Sequence, residues 1–279
     1  MRLPAFVVKS VVAMTDKLTD ETFAQHVNTK LGFNLDTPQP LELPLSSQTR
    51  IGLPARHSLF TDLASAGRNL AALLEKYLAS EETVVVGIAR GGVPVALEVA
   101  KQLGAPLDII LIRRLLAPRG PGSEICAVNV CGTLVTDQEL ALPPPVPKTP
   151  VECFVTDALE ELALRERTCR GGGRPALEVA RKTVLLVDNG IHTGSTMRAA
   201  IRALRILKPS RVVVAVPVAQ RSSRKVVEEA ADDLVCLASP EPFGHVGLWY
   251  ANFNVPDEEQ IRKMLDQVPA HSESEFSSD

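Results

Sequence analysis

The sequence predicts an α/β fold in which a parallel β-sheet carries helices on both faces. Two observations predict it. Short, wholly apolar runs rich in β-branched residues recur along the 279-residue chain, and strands buried on both faces have this composition. Segments with apolar residues at helical spacing lie between these runs. Apolar strands that alternate with amphipathic helices are typical of parallel sheets.

The predicted elements follow one another from residue 61 to residue 237. A first helix is predicted over Thr61–Leu78, where apolar residues repeat at helical spacing. Buried strands are predicted at Thr83–Ile88, Leu107–Ile112, Thr183–Val187, Arg211–Val216 and Leu234–Leu237. Two further helices are predicted at Gly91–Leu103, which Gly104 is well placed to end, and at Ser195–Leu207.

Three segments stand outside this alternation. Residues 1–57 carry mixed signals and are predicted to form a loop-rich N-terminal arm. Ala117–Pro147 is rich in Pro and Gly and is predicted to be a long hairpin or lid. Its strand-like pieces are Ile125–Val130 and Thr133–Val135. Residues 269–279, rich in Ser and Glu, predict a disordered acidic tail, which leaves residues 58–268 as the main domain.

The composition limits which functional classes and cellular locations are expected. The formal net charge of −3 gives no sign of nucleic-acid binding, and no apolar stretch reaches the length of a membrane span. The five cysteines are scattered and form no CxxC pair, which favours reduced thiols in a cytoplasmic protein. A secretory signal is not expected, and an organellar transit peptide stays open.

The strongest motif is Val184–Thr196, in which a buried strand ends in Asp188 and Asn189 and a glycine-containing loop leads into a helix. Ligands of open α/β sheets bind at the carboxyl ends of strands, and a helix start offers N–H groups and a positive dipole end to a phosphate. The two polar residues can accept hydrogen bonds from vicinal hydroxyls. The predicted phosphate-binding residues are Gly190, Ile191, His192, Thr193, Gly194, Ser195 and Thr196. The alternative is an ordinary capped turn between strand and helix.

A second loop, Val86–Gly92, also joins a buried strand to a helix start. Gly91 and Gly92 expose backbone N–H groups there, so a second anion site is predicted with Ala89 and Arg90 beside them. The alternative for Arg90 is a cation on the surface.

These two loops resemble those of type I phosphoribosyltransferases. Val184–Thr196 is similar to the family's signature for phosphoribosyl pyrophosphate, and Val86–Gly92 is similar to its pyrophosphate loop. Arg165–Pro175 and Phe243–Leu265 are similar to segments of a mostly uncharacterised, bacterial-type branch, so the resemblance covers residues 58–267. It implies a Rossmann-like sheet with a small hood and a flexible loop, a cis peptide at Ala89–Arg90, and a possible homodimer.

The resemblance implies a reaction in which a nitrogen nucleophile displaces pyrophosphate from C1 of the ribose, or the reverse. Mg²⁺ is the implied cofactor, with Asp188 reaching it indirectly through water or the ribose. Ala117–Pro147 occupies the place of the family's catalytic loop. The predicted catalytic residues are Asp188, Asn189, Arg113 and Arg114, with Arg119 a further candidate for the cationic contact to pyrophosphate. The alternative for the three arginines is solvated charge near a loop.

Two positions depart from the family pattern. Asn189 replaces the usual second acid, and an amide cannot assist a metal as a carboxylate can. His192 stands where close relatives have a small residue, and it either contacts the ligand or faces solvent.

Three functions follow from these residues. The first is a phosphoribosyltransferase with a nucleobase-like or amine acceptor. The second is a non-catalytic, regulatory protein that keeps the ribose-phosphate site, which Asn189 favours. The third is a hydrolase of phosphoribosyl compounds. For the acceptor, Phe243, Trp249 and Tyr250 are candidates to stack on a base, and the alternative is that they pack in the core.

Overall fold

The computed structural model describes residues 58–77, 82–116, 124–128, 160–171 and 173–268, without the side chains of 114–116 and 124–128. The chain divides between Ala55 and Arg56, and the described residues all belong to the unit Arg56–Asp279. The predicted N-terminal arm, the acidic tail and the piece Thr133–Val135 lie outside the described residues. The predicted domain boundaries therefore stay predictions.

A six-stranded sheet organises the described part of the chain. Its strands are β1 Thr83–Ala89, β2 Leu107–Leu116, β3 Glu124–Val128, β4 Thr183–Val187, β5 Arg211–Val218 and β6 Asp233–Ala238. Their order in the sheet is β3-β2-β1-β4-β5-β6. Five strands pair in parallel, and only β3, at the edge, runs antiparallel to its neighbour β2. The predicted parallel sheet is confirmed.

Helices cover both faces of the sheet and enclose two cores. The helices are α1 Leu63–Ala72, α2 Gly92–Leu103, α3 at residues 160–170, α4 Ser195–Ile206, α5 Arg221–Glu228 and α6 Glu258–Leu265. Adjacent residues of β4 show why its sequence is wholly apolar. Leu185 packs in the core under α1, α2 and α6, and Leu186 packs in the core under α4. Both are fully buried, since successive side chains of a strand point to opposite faces.

Several boundaries differ from the prediction. The first helix ends at Ala72 and continues only as a 3₁₀ turn at Glu75–Tyr77, short of the predicted Leu78. Strand β2 was expected to end at Ile112 but extends to Leu116, because its last residues pair with β3. Helices α3, α5 and α6 were not predicted as elements.

A buried ionic cluster fixes the segment that follows α3. Asp108, which is 6% exposed, accepts hydrogen bonds from the backbone N–H groups of Ile109 and Leu177, both at 2.7 Å. Its Oδ1 also lies 2.6 Å from Nη1 of Arg170. These bonds join β2 to Arg170 at the end of α3 and to Leu177.

The neighbouring Arg174 ties the end of α6 to the sheet. Its Nη1 donates to the carbonyls of Leu265 at 2.6 Å and Val268 at 3.0 Å, and its Nη2 donates to that of Leu107 at 3.0 Å. A guanidinium has several donors in one plane, so a single side chain can satisfy carbonyls that the last turn of a helix leaves without partners. The amino end of β2 and the end of α6 are thereby held together, at the amino-terminal ends of the strands, away from the cleft described next.

Candidate active site

A cleft of about 410 Å³ opens at the carboxyl ends of the central strands β1 and β4. Its walls are the loops that lead from these strands into α2 and α4, with one residue of β2 and two residues that follow β6. The lining residues are Ile88, Ala89, Arg90, Gly91, Ile112, Asp188, Gly190, Ile191, His192, Thr193, Gly194, Thr196, Met197, His245 and Val246. Both sequence-predicted loops therefore meet in one cavity, in the volume range of small-molecule sites.

The loop after β4, residues 188–194, is held by the strand beside it. The N–H of Ile191 donates to Val218 at 2.9 Å, and the N–H of Gln220 donates to Ile191 at 2.8 Å. Gly194 has φ of +83° and stands immediately before α4. This left-handed backbone, which glycine adopts without steric cost, turns the chain into the helix, whose second residue, Thr196, lines the cleft.

Polar side chains lie along this loop. Asp188 lines the cleft, and its Oδ1 accepts the N–H of Asn189 at 2.8 Å. The hydroxyls of Thr193 and Ser195 lie 3.1 Å apart, and the Ser223 hydroxyl donates to the His192 carbonyl. A carboxylate at one end of the loop and a helix start at the other suit a ligand that carries hydroxyls and a phosphate.

The loop after β1 lies directly against the loop after β4. A Cβ on Gly92 would come within 2.8 Å of the Val187 carbonyl and 2.9 Å of Asp188 Cα, and a Cβ on Gly91 would collide with the Asn189 amide. Only glycine permits this approach. The Ala89–Arg90 peptide is cis, which confirms the expectation for this bond.

Asn189 is placed differently from Asp188. It does not line the cleft, and its side chain packs against Gly91 in the neighbouring loop. The carbonyl of Asn189 accepts a hydrogen bond from the Tyr250 hydroxyl at 2.5 Å. Of the predicted binding residues, Gly92 and Ser195 also lie behind the cleft wall and support it from there.

The aromatic residues near the carboxyl end of the domain pack in the core. Phe243, Trp249 and Tyr250 are each 5% exposed, and none of them lines the cleft. Trp249 Nε1 donates to the Phe243 carbonyl at 3.1 Å. The imidazole of His192 stacks on Phe243 with ring centroids 6.1 Å apart and planes 10° apart. The interpretation as core residues is therefore the one that the structure supports.

The two arginines predicted to be catalytic lie on β2, and the described one, Arg113, is not among the residues that line the cleft. Arg113 forms an ion pair with Glu161 of α3. Arg114 is paired in register with Cys126 of β3, and its side chain and the whole of Arg119 lie outside the described part.

A magnesium ion could take one protein ligand in this cleft. Within the described ranges, no group of three or more His, Cys, Asp and Glu side chains is placed to hold a metal. Asp188 is the carboxylate in the lining. Mg²⁺ commonly binds through one or two carboxylates together with substrate phosphates and water, so the residues present fit an ion that arrives with a phosphorylated substrate.

Sequence reasoning offered Phe243–Phe253 as a candidate hood but gave no role in the site to two of its residues, His245 and Val246. Both line the cleft, and Val246 lies beside Gly190 of the loop after β4. The only available signal was the resemblance of Phe243–Leu265 to a family segment. Among the described residues, no helix has both the length and the apolar character needed to cross a membrane.

Comparisons with known proteins agree with this geometry. A family model described as phosphoribosyl transferase domain matches residues 60–250. A protein of Mycobacterium tuberculosis, provisionally named a phosphoribosyl transferase in two strains, is 36% identical over 214 residues, which are 75% of this chain and 47% of that protein. The chain thus spans about half the length of the curated relatives it matches. The crystal structure of TT1426 from Thermus thermophilus is 34% identical, with a TM-score of 0.64, over 75% of this chain and 98% of that one.

Proposed function

Because this chain belongs to the phosphoribosyl transferase domain family, we propose that it binds 5-phosphoribosyl 1-pyrophosphate and transfers the phosphoribosyl group to a nucleobase-like or amine acceptor, or catalyses the reverse reaction. We place this activity in the cytoplasm, with phosphoribosyl substrate and pyrophosphate as small-molecule partners and a homodimer as the candidate assembly.

One observation carries the proposal. Two glycine-containing loops at adjacent strand ends pack against each other, and both open into the same cleft beside one carboxylate, Asp188. A single phosphate would need one such loop. A sugar with a phosphate at one end and a pyrophosphate at the other needs two, with a hydroxyl acceptor between them.

Each part of the ligand would be bound by different residues of the cleft. The N–H groups and hydroxyls of residues 190–196 would hold the 5-phosphate, and Asp188 would accept hydrogen bonds from the ribose hydroxyls. The backbone of Ala89–Gly92 would hold the pyrophosphate, with the guanidinium of Arg90 beside it. Mg²⁺, bound to Asp188 through water or the ribose, would neutralise charge on the pyrophosphate oxygens.

In the transfer, the bond from C1 of the ribose to the pyrophosphate oxygen breaks and the electron pair leaves with pyrophosphate. The acceptor nitrogen forms the new bond to C1 and gives up its proton to the departing pyrophosphate or to water. The protein's contribution is position and electrostatic stabilisation, because charge builds on a leaving group that the loop already faces. One of the two predicted arginines, Arg113 or Arg114, would supply further positive charge. Since side chains of a strand alternate between faces, only one of these two can face the cleft from β2, and Arg113 is already paired with Glu161. Arg114 is the stronger candidate.

A regulatory protein that binds the same ligand without turnover is the second candidate. The placement of Asn189 favours it, since its amide packs on Gly91 and lies behind the cleft wall, where the family usually has an acid.

Calorimetry with 5-phosphoribosyl 1-pyrophosphate, with and without Mg²⁺, tests the binding, and pyrophosphate release against a panel of bases and amines tests the transfer. Binding with turnover supports the transferase, and binding without turnover across the panel supports the regulator. Turnover that needs no acceptor indicates a hydrolase, and no binding at all defeats the proposal.

Asp188→Asn is the sharper test of the ribose assignment. A hydrogen bond to a charged group contributes about 1.5–3 kcal/mol, so the affinity should fall by roughly 10- to 100-fold. The matched control is Asp266→Asn, which removes the same charge from an exposed position just after α6. This position is near the amino-terminal ends of the strands, away from the cleft. Equal affinity of both variants would show that Asp188 does not hold the ribose.

A further inference from the structure

The residues Phe243–Tyr250, here called the hood segment, contact the loop after β4 at three successive points. The Tyr250 hydroxyl donates to the carbonyl of Asn189. A Cβ on Gly190 would lie 2.8 Å from Cγ1 of Val246. The ring of Phe243 stacks on the ring of His192. Residues 189, 190 and 192 of the loop are therefore each in contact with the same short segment.

Tyr250 is itself held rigidly. Its ring lies 5.5 Å from that of Phe60 and 5.3 Å from that of Phe253. On either side of it, the N–H of Phe60 donates to the Trp249 carbonyl at 3.0 Å, and the N–H of Ala251 donates to the Phe60 carbonyl at 2.8 Å. A side chain anchored by packing and by backbone bonds on both sides can fix the group to which its hydroxyl is bonded.

The Tyr250 hydroxyl stays protonated and can therefore always donate a hydrogen bond. Burial raises the pKa of Tyr250 above its usual range, and the nearby Asp188 carboxylate raises it further. The hydroxyl therefore keeps its proton at any working pH, and its bond to the Asn189 carbonyl fixes the peptide between Asn189 and Gly190. That peptide begins one residue after Asp188, and the amide of Asn189 packs on Gly91 of the other loop.

We propose that the Tyr250 hydroxyl is a positioning group for the ribose-binding loop, through which the hood segment sets the geometry of Asp188 and the spacing of the two loops. It is a positioning residue because it touches the loop and does not line the cleft. This inference rests on the proposed ribose-phosphate site. It gives the buried aromatics of the hood segment a part in binding that does not require them to stack on a base.

The chain offers a matched control, because it contains two tyrosines. Tyr250→Phe removes the hydroxyl bonded to Asn189. Tyr77→Phe removes a hydroxyl that donates to Asp233 at 3.1 Å, beside the amino end of β6 and away from the cleft. Each variant loses one side-chain hydrogen bond, so a general loss of stability should be similar in the two.

We expect Tyr250→Phe to bind 5-phosphoribosyl 1-pyrophosphate about 3- to 10-fold more weakly than the unaltered chain, the range for one neutral hydrogen bond at about tenfold per 1.4 kcal/mol. Tyr77→Phe should bind with unaltered affinity. The measurement is calorimetry on folded protein, with melting temperatures recorded in parallel. Fluorescence of Trp249, the chain's one tryptophan and the neighbour of Tyr250, should change when the ligand binds to the unaltered chain and change less in Tyr250→Phe.

A second variant guards against misfolding of the first. Phe243→Leu keeps the Tyr250 hydroxyl and removes the aromatic surface under His192, and it should weaken binding in the same direction. If Tyr250→Phe folds and binds as tightly as the unaltered chain, the inference is overturned; if Tyr250→Phe does not fold, unaltered binding by Phe243→Leu overturns it. If the unaltered chain itself does not bind, the proposed function has failed, which is a separate result.

Discussion

Replacing Gly92 with Ala tests whether the close approach of the two loops builds the site. Gly92 is the first residue of α2, and its missing side chain lets the loop after β1 lie against the end of β4. An added Cβ would meet the Val187 carbonyl at 2.8 Å, Asp188 Cα at 2.9 Å and Asp188 Oδ1 at 3.0 Å. Two of these three atoms belong to the backbone of the central strand and its first loop residue, so they cannot rotate away.

Two effects of opposite sign determine how much Gly92→Ala changes the free energy of unfolding. Forcing extra atoms into a packed region costs about 1–3 kcal/mol. Alanine is a better helix former than glycine by about 0.8–1.0 kcal/mol in a helix interior, and by less at the first position. The steric effect is the larger, so we expect the free energy of unfolding to fall by about 1–2 kcal/mol. Because relief of the contact must move the loops apart, affinity for 5-phosphoribosyl 1-pyrophosphate should fall by at least about tenfold.

Urea denaturation measures the stability and calorimetry the affinity, with Gly173→Ala as the control. A Cβ on Gly173 would have no atom within 4 Å, and its φ is not in the left-handed region. Alanine there should leave stability unchanged or raise it by about 0.4–1 kcal/mol through the unfolded state. If Gly92→Ala is as stable as Gly173→Ala and binds the ligand as tightly, the close packing of the loops has no part in the site.

Three further predictions concern the scaffold. Asp108→Ala leaves two buried backbone N–H groups without their acceptor and takes one of two paired carboxylates from Arg170, which keeps Glu166. It should lower the free energy of unfolding by about 3–5 kcal/mol in denaturant. A loss below about 1 kcal/mol would contradict this account of the cluster. Burial alone would raise the pKa of Asp233, but hydrogen bonds from Lys76 and Tyr77 outweigh it and lower that pKa. Its stabilising contribution is therefore present above the unfolded pKa of about 3.9 and is lost as the pH falls through the folded value, so Asp233→Asn should flatten the acid limb of a plot of melting temperature against pH. Burial raises the pKa of Cys169 to about 11, so alkylation of this thiol at neutral pH should follow the unfolding rate, and rapid labelling of native protein would refute it.

The parts of the fold that the sequence predicted well are those in which one local pattern decides the structure. Strand β4 agrees with its prediction at both ends, because all five of its residues are apolar or β-branched and polar residues flank them. The end of α2 at Gly104 also agrees, since φ there is +61° and glycine is the residue that adopts it freely. Both features depend on neighbours in sequence.

The parts that were missed depend on contacts distant in sequence. Strand β2 runs on through Arg113 and Arg114 because β3 pairs with it, and no local apolar pattern signals that pairing. Helix α3 is mostly charged and buries only Leu162 and Cys169 completely, so its apolar stripe is too narrow to detect. Helix α6 did carry a readable signal, since Asp257 and Gln260 form a capping box at its start.

In the candidate site, too, features set by local sequence were predicted and features set by distant contacts were not. Its two glycine loops were predicted, because strand, turn and helix start are contiguous in sequence. His245 and Val246 were not named, although the segment Phe243–Phe253 was a candidate hood, because they lie about 50 residues from the loop after β4 in sequence and meet it only in the folded chain. The sequence showed that Asn189 stands where the family usually has an acid, but it did not show that the Asn189 side chain packs on Gly91.

The bonds of Arg174 bear on how short a fragment of this chain can be and still fold. Its acceptors include the carbonyls of Leu107, Leu265 and Val268. Arg174 therefore links the amino end of β2 to residues at the carboxyl end of the domain. A fragment cut after α6 but before Val268 would lack one of these carbonyls. One cut before α6 would lack two of them, together with the side chains of Ile261 and Leu265, which are fully buried in the core. Residue 268 therefore marks the shortest carboxyl-terminal limit for expressing this domain alone, whatever becomes of the residues beyond it.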